Sequence, residues 1–205
     1  GADVNRRWFV DGWRPSTVQR KVDNQKDTYR MVLGFRGELD SGWDWDTGIV
    51  ISKATMEDTT ANRISALELV AGLNDMTPAA INPFSATDQN IERALVDVYR
   101  NDTSKLRILD FKLSKPDVFS TKAGDVAMLI GGEYRFESYV DDRDPLLDGT
   151  VLYTGSTGLT HPFTSAVIGS SPSTDTIGQR NTDSLFVEMQ IPVTLSLIHI
   201  SEPTR

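Results

Sequence analysis

Residues 125–140 read DVAMLIGGEYRFESYV, and apolar side chains recur there at every second position. This period of two predicts a β-strand with one apolar and one polar face. The charged side chains Glu133, Arg135 and Glu137 follow one another on the polar face. The apolar face carries six residues: Val126, Met128, Ile130, Tyr134, Phe136 and Val140.

The same alternation recurs on both sides of this stretch, within 29–39, 43–52, 109–114 and 184–193. The first two segments are separated only by Asp40-Ser41-Gly42 and therefore predict a hairpin. A second tight turn is predicted at 121–125, ahead of the opening stretch. Each strand again has one polar face, which carries Arg30, Arg36, Glu38, Asp44, Asp46 and Glu188.

The connections between these strands alternate between short and long. We expect long polar connections at 57–105 and 141–181, the first with helices over Arg63–Leu73 and Asp88–Tyr99. Strands of about ten residues with short turns on one side and long loops on the other are typical of outer-membrane barrels. The predicted fold class is all-β: a partial antiparallel transmembrane β-barrel of about five or six strands, with long extracellular loops carrying short helices.

Composition limits the alternatives. The 205 residues hold 21 Lys+Arg against 29 Asp+Glu, a net charge of −8, so we expect no nucleic-acid partner. The chain contains no cysteine, which excludes disulfides and thiolate metal sites. Alternation alone fits a soluble extracellular β-sandwich, such as a carbohydrate-binding module, as well as a barrel wall, and a passive porin-like channel is a further alternative.

The last eleven residues, LSLIHISEPTR at 195–205, differ in character from the rest. They resemble the translation of a transposase adapter used in DNA sequencing libraries. We therefore expect a native segment over 1–194, part of the barrel domain of a longer protein, followed by a non-native tail.

Four motifs occur in an order typical of one family. The run AGDVAMLIGGEYRFES at 123–138, with Asp144-Pro145 after it, resembles a barrel strand of TonB-dependent outer-membrane receptors. TDSLFVEMQIPV at 182–193 is similar to the returning strand of that family. GWDWD at 42–46 and Asn82-Pro83-Phe84 are also typical of it. The resemblance extends over roughly residues 6–194.

This resemblance implies a location in the cell outer membrane and a role in transport. The family forms 22-stranded barrels around an N-terminal plug and takes up scarce nutrients such as ferric siderophores, cobalamin, haem or oligosaccharides. The implied partners are outer-membrane lipid, the receptor's own plug, the inner-membrane TonB complex and a small-molecule nutrient. The polar faces are then expected to face the lumen, at Arg30, Arg36, Glu38, Asp44, Asp46, Glu133, Arg135, Glu137 and Glu188.

Signatures of enzymes are missing from the sequence, since it contains no HExxH, GxSxG or P-loop motif. We expect neither catalytic residues, nor a metal, nor a cofactor. His161 is interpreted as a solvated loop residue. The acidic run around Asp141 and Asp148 lacks the spacing of an EF-hand and is interpreted in the same way.

Substrate contacts are expected in the long loops and near the strand ends beside them. Aromatic side chains stack on flat or sugar-like ligands, and arginines bind anionic groups. The candidate substrate-binding residues are Asn82, Phe84, Tyr99, Arg100, Arg143 and Phe163.

Overall fold

A computed structural model of the chain describes residues 18–85, 87–154, 158–160 and 164–193. The tail at 195–205, together with His161 and Phe163, lies outside the described residues. The elements in chain order are β1 (Lys21–Glu38), β2 (Asp44–Ile64), α1 (Ala66–Leu73), a 3-10 turn (Ile91–Ala94), β3 (Leu95–Thr121), β4 (Gly124–Arg143), α2 (Pro145–Asp148) and β5 (Thr176–Gln190).

The five strands form a single antiparallel sheet in which each strand pairs with its neighbour in the chain. The order is β1-β2-β3-β4-β5, and the sheet is not closed into a barrel. Among the described residues, β1 and β5 are therefore the edge strands. The predicted all-β meander of about five strands, with loops that carry short helices, is confirmed.

Contacts between neighbouring strands fix which residues share a face. The Leu39 amide donates to the Trp43 carbonyl at 2.8 Å and closes the β1–β2 hairpin. A Cβ on Gly37 would lie 2.8 Å from the indole of Trp45, so these two positions share a face. Since side chains alternate along a strand, the odd-numbered residues of β1 and β2 lie together.

Contacts between the remaining pairs of neighbouring strands also fix which residues share a face. A Cβ on Gly48 would lie 2.8 Å from the carboxylate of Asp110, so even-numbered residues of β2 and β3 share a face. The guanidinium of Arg107 lies 5.7 Å from the ring centre of Phe136, which places odd residues of β3 with even residues of β4. The Arg180–Glu137 ion pair then joins even residues of β5 to odd residues of β4.

The sheet therefore has two chemically different faces. The apolar face holds the odd-numbered residues of β1, β2, β3 and β5 and the even-numbered residues of β4. The charged face holds the alternate residues. This division agrees with the two faces that the sequence predicts for every strand.

The strands are longer than the sequence predicts. β2 extends to Ile64 and β3 begins at Leu95, so the first long connection covers 65–94 instead of 57–105. The second covers 144–175 instead of 141–181. Apart from Leu95–Tyr99, most of the added strand residues are polar on both faces and lack an alternating pattern. Ladder hydrogen bonds between backbones hold such segments without an apolar face.

The first predicted helix is confirmed in its C-terminal part. It begins at Ala66, because the Ser65 side chain accepts a hydrogen bond from the Glu68 amide at 3.3 Å and caps the first turn. Asn74 ends the helix, as predicted, and its side chain donates to the Val70 carbonyl. Arg63 belongs to β2.

The second predicted helix, over Asp88–Tyr99, is wrong. The structure has a 3-10 turn at Ile91–Ala94, followed directly by β3. Ile91, Ala94 and Val98 are buried and have helical spacing, which explains the prediction. A single turn followed by an alternating strand buries the same three positions, and β-branched Val96 and Val98 favour the strand.

The chain divides into two compact units, each described by itself. Among the described residues, the strand unit lies within 28–54, 103–139 and 177–193, and the loop unit lies within 18–27, 55–102 and 140–176. The loop unit has an apolar core of Ile81, Ile91 and Ala94, packed against Leu69 and Leu95 among others.

Candidate functional site

The charged face of the strand unit carries an open hollow. Its lining includes five charged side chains: Arg36, Glu38, Asp44, Asp46 and Lys112. Four of these were predicted to share a polar face, and the structure brings them together. The hollow has a volume of about 610 Å³. Its lining mixes both signs of charge, which suits polar or zwitterionic groups in water.

Ion pairs continue along the same face on β4 and β5. Arg135 binds Glu133 at 2.9 Å on its own strand. Arg180 binds Glu137 across the two strands. The predicted series of Glu133, Arg135 and Glu137 is thus a set of paired charges. Glu188 lines a second hollow, together with Asp44 and residues of β3 and β4.

The opposite, apolar face of the strand unit is uncovered. Ile130 is 37 % exposed and Val187 63 %, Met31, Leu33 and Ile49 lie between these values, and Val126 is the buried residue of this face. The described residues contain one sheet, so no second sheet covers this face. A contiguous apolar surface of this extent marks contact with a membrane or another protein.

Tryptophan and tyrosine side chains lie toward the two ends of the apolar face on β1 and β2. Trp43 and Trp45 lie beside the β1–β2 turn. Tyr29, on the same face of β1, is 71 % exposed and lies at the other end. Met31, Leu33 and the exposed ring of Phe35 lie between these two ends.

In the loop unit, two of the predicted substrate contacts meet at one carboxylate. Arg100 and Arg143 both bind Asp141, with N–O distances of 3.0 and 2.9 Å. Arg100 also pairs with Asp102 at 3.3 Å. The two guanidinium groups are therefore balanced by two carboxylates, and an anionic ligand would have to displace one of them.

Ionisation in this cluster follows from its contacts. Burial of the Asp141 carboxylate raises its pKa, but hydrogen bonds from Arg100 and Arg143 outweigh burial and hold the pKa below the ordinary value. The carboxylate of Asp142, followed by burial and by Asp144, raises the pKa of Tyr99. The Asp141 carboxylate thus remains charged at neutral pH.

The other predicted contacts lie elsewhere in the loop unit. The Asn82 side chain accepts a hydrogen bond from the Phe84 amide at 3.1 Å, and Phe84 itself is 77 % exposed. The Tyr99 carbonyl accepts a hydrogen bond from the Asp144 amide. Asn82 and Phe84 form one turn, whereas Tyr99 and the two arginines belong to the strands. Phe163 lies outside the described residues.

Sequence reasoning missed Arg180 as a member of the charged face, whereas Lys112 lies on the polar side of the predicted strand at 109–114. Counting back from Glu188 in steps of two reaches Arg180. The missing information was the length of the strands, which decides how far the count extends.

Within the described ranges, no group of three or more acidic or histidine side chains is placed to hold a metal ion. None of the helices in that part of the chain has the length and hydropathy that spanning a membrane requires. No family model, curated protein or solved structure matches the chain. The two faces of the sheet and the sequence motifs are the observations that bear on function.

Proposed function

We propose that the chain is part of the barrel wall of a TonB-dependent outer-membrane receptor, a transporter that takes up a scarce nutrient with energy from the inner membrane. The observation that carries the proposal is the uncovered apolar face of the sheet, opposite a face of paired charges. Lipid is the solvent that such an apolar face requires, and a water-filled lumen suits the charged face.

The length of the apolar face supports this proposal. On β1 it runs from Tyr29 to Leu39, and on β4 from Val126 to Phe136. Ten residues of strand span about 33 Å, and a tilt of about 40° reduces this to about 25 Å, the height of the apolar band of outer-membrane barrels. The aromatic residues at the ends correspond to the girdles at the two membrane interfaces.

The sequence motifs favour a receptor over a passive channel. The wall geometry is common to both classes, whereas the run at 123–138 and its spacing to 182–193 resemble the receptor family. A soluble sandwich would need a second sheet against Met31, Leu33, Ile49, Ile130 and Val187, which the described residues do not provide. In the complete receptor, Phe84 is exposed enough to stack on an arriving nutrient.

Cysteine labelling tests the membrane orientation, because the natural chain has no cysteine. Single variants are made in adjacent pairs, Leu33→Cys with Val32→Cys and Ile130→Cys with Leu129→Cys, in the chain folded into phosphatidylcholine vesicles. We expect a membrane-impermeant maleimide to label Val32→Cys and Leu129→Cys at least tenfold faster than their neighbours. A lipid-soluble maleimide should reverse this preference.

Each pair provides its own control, since the two cysteines are neighbours in sequence and differ only in the face they occupy. Equal labelling of both members by the impermeant reagent would contradict the lipid contact. Protection of both members in vesicle-free buffer would instead indicate a covered sheet, as in a sandwich.

Transport is tested in the complete receptor in outer membranes. Uptake of its nutrient should stop when the proton gradient of the inner membrane is collapsed, because the family draws energy from it. Uptake that continues at the same rate would identify a passive channel with the same wall.

A further inference from the structure

The apolar face of the strand unit contains three cations at one end. Lys53, Lys105 and Arg107 occupy odd-numbered positions of β2 and β3, and all three are exposed. On β2 and β3 of the strand unit they directly follow the last aliphatic residues of that face, Ile51 and Leu109. We call these three residues the basic strip.

Strand pairing brings the basic strip together. The Thr47 hydroxyl donates to the Asp110 carbonyl at 2.7 Å, and Gly48 faces the Asp110 side chain. Continued along the two antiparallel strands, this register sets Lys53 opposite Lys105. Like charges opposite each other repel, so such a pair needs a counter-charge from outside the sheet.

Among the described residues, none of the three cations forms an ion pair with a carboxylate. The acidic residue of β5 on this face is Asp183, and it too is without an ion pair there. The guanidinium of Arg107 lies over the ring of Phe136 at 5.7 Å. This cation–π contact holds the charge at the surface of the apolar face.

We propose that the basic strip binds the phosphate groups of anionic lipid headgroups at one boundary of the membrane. The inference rests on the proposed function, since it takes the apolar face to be in lipid. The strip lies where the aliphatic residues end, which is the depth of the headgroups. Anionic headgroups attract basic residues at this depth, and a phosphate between Lys53 and Lys105 relieves their repulsion.

Vesicle binding of the full chain tests the inference. Binding is compared, at low ionic strength, between vesicles of phosphatidylcholine alone and vesicles that also contain phosphatidylglycerol. The strip variant combines Lys53→Gln, Lys105→Gln and Arg107→Gln. The control variant combines Lys21→Gln, Lys26→Gln and Lys122→Gln, which removes the same charge from other positions.

We expect phosphatidylglycerol to strengthen binding of the natural chain and the control variant on the order of 100-fold, and the strip variant only a fewfold. Added sodium chloride should reduce the gain, because the attraction is screened. Inorganic phosphate at matched ionic strength should compete no better than chloride if lipid is the ligand.

The outcomes separate the two proposals. The natural chain could bind phosphatidylcholine vesicles while the strip and control variants respond equally to phosphatidylglycerol. In that case the basic strip is not a lipid site, but the proposal that the sheet is part of a membrane barrel is retained. If phosphate displaces the chain more than chloride does, the strip takes free phosphate and the inference is wrong. If the chain inserts into neither vesicle, both proposals are overturned.

Discussion

The two units of the molecule treat apolar side chains in opposite ways. Among the described residues, the buried apolar side chains belong to the loop unit, with Val126 as the exception. Ile91 and Ala94 are fully buried there. In the strand unit, side chains as large as Phe35 and Leu185 are 62 and 93 % exposed.

This difference shows that the two units place their apolar side chains in different environments. The loop unit removes its aliphatic residues from water by packing them on each other, as water-soluble proteins do. The strand unit pairs the backbones of its inner strands β2, β3 and β4 on both sides but leaves its aliphatic residues outside. Such a sheet is stable only where something apolar replaces water, and lipid meets that requirement.

The largest effect is expected from the core of the loop unit. Ile91→Ala removes a fully buried side chain and should destabilise the unit by about 2–5 kcal/mol, from lost burial and the cavity that remains. Hydrogen exchange of the Ile81 amide, which donates to the Gly72 carbonyl, measures this in vesicles. Met76→Ala, at a residue that is 96 % exposed, is the control. If the Ile81 amide exchanged at equal rates in the two variants, the loop unit would not be stabilised by a packed apolar core.

A charge on the apolar face tests the other unit. Ile130→Arg should weaken insertion into phosphatidylcholine vesicles by about 2–4 kcal/mol, the cost of arginine on the lipid side of a barrel. Leu129→Arg, one residue away on the charged face, should change insertion little. Vesicle flotation at increasing urea measures both variants. A similar loss in the two variants would mean that the faces do not differ in solvent.

A smaller effect is expected from the arginine cluster of the loop unit. Asp141→Asn leaves Arg100 and Arg143 without their shared carboxylate and should cost about 1–3 kcal/mol at neutral pH. The folded-state pKa of Asp141 is lowered, so its contribution is present above the ordinary carboxyl pKa of 3.8 and is lost as the pH falls below that value.

Exchange of the Asp144 amide against pH measures this contribution, because that amide donates to the Tyr99 carbonyl within the same cluster. The natural chain and Asp141→Asn should converge at low pH. A difference between them that persists unchanged well below pH 3.8 would show that the carboxylate charge is not the cause.

Much of the sheet could be predicted from the sequence, because a period of two is a local signal. The alternation in 29–39 and 125–140 identified two strands and both of their faces. Helical spacing was misleading at Ile91, Ala94 and Val98, since burial against the loop core fits a turn and a strand equally well. The outcome there depended on pairing with β2, which is not a local property.

Individual residues of the candidate site could be chosen from the sequence, but the contacts between their side chains could not. Arg100 and Arg143 were singled out as candidate substrate contacts, yet their shared partner Asp141 lies 41 positions from Arg100. Only the pairing of β3 with β4 brings these side chains together. The basic strip was overlooked for a similar reason, because Lys53 and Lys105 become neighbours only when β2 and β3 pair.

Gly37 and Gly131 share a feature that bears on how this protein changes over generations. Each lies beneath an aromatic ring of the adjacent strand, Trp45 and Phe186, and a methyl group at either glycine would collide with that ring. A side chain at either position therefore requires the ring of its partner to shift or to be replaced by a smaller group. In descendants and relatives of this chain, loss of the glycine should be accompanied by a smaller or displaced ring. Covariation at these two pairs would then preserve a record of the strand register even where the motifs themselves have drifted.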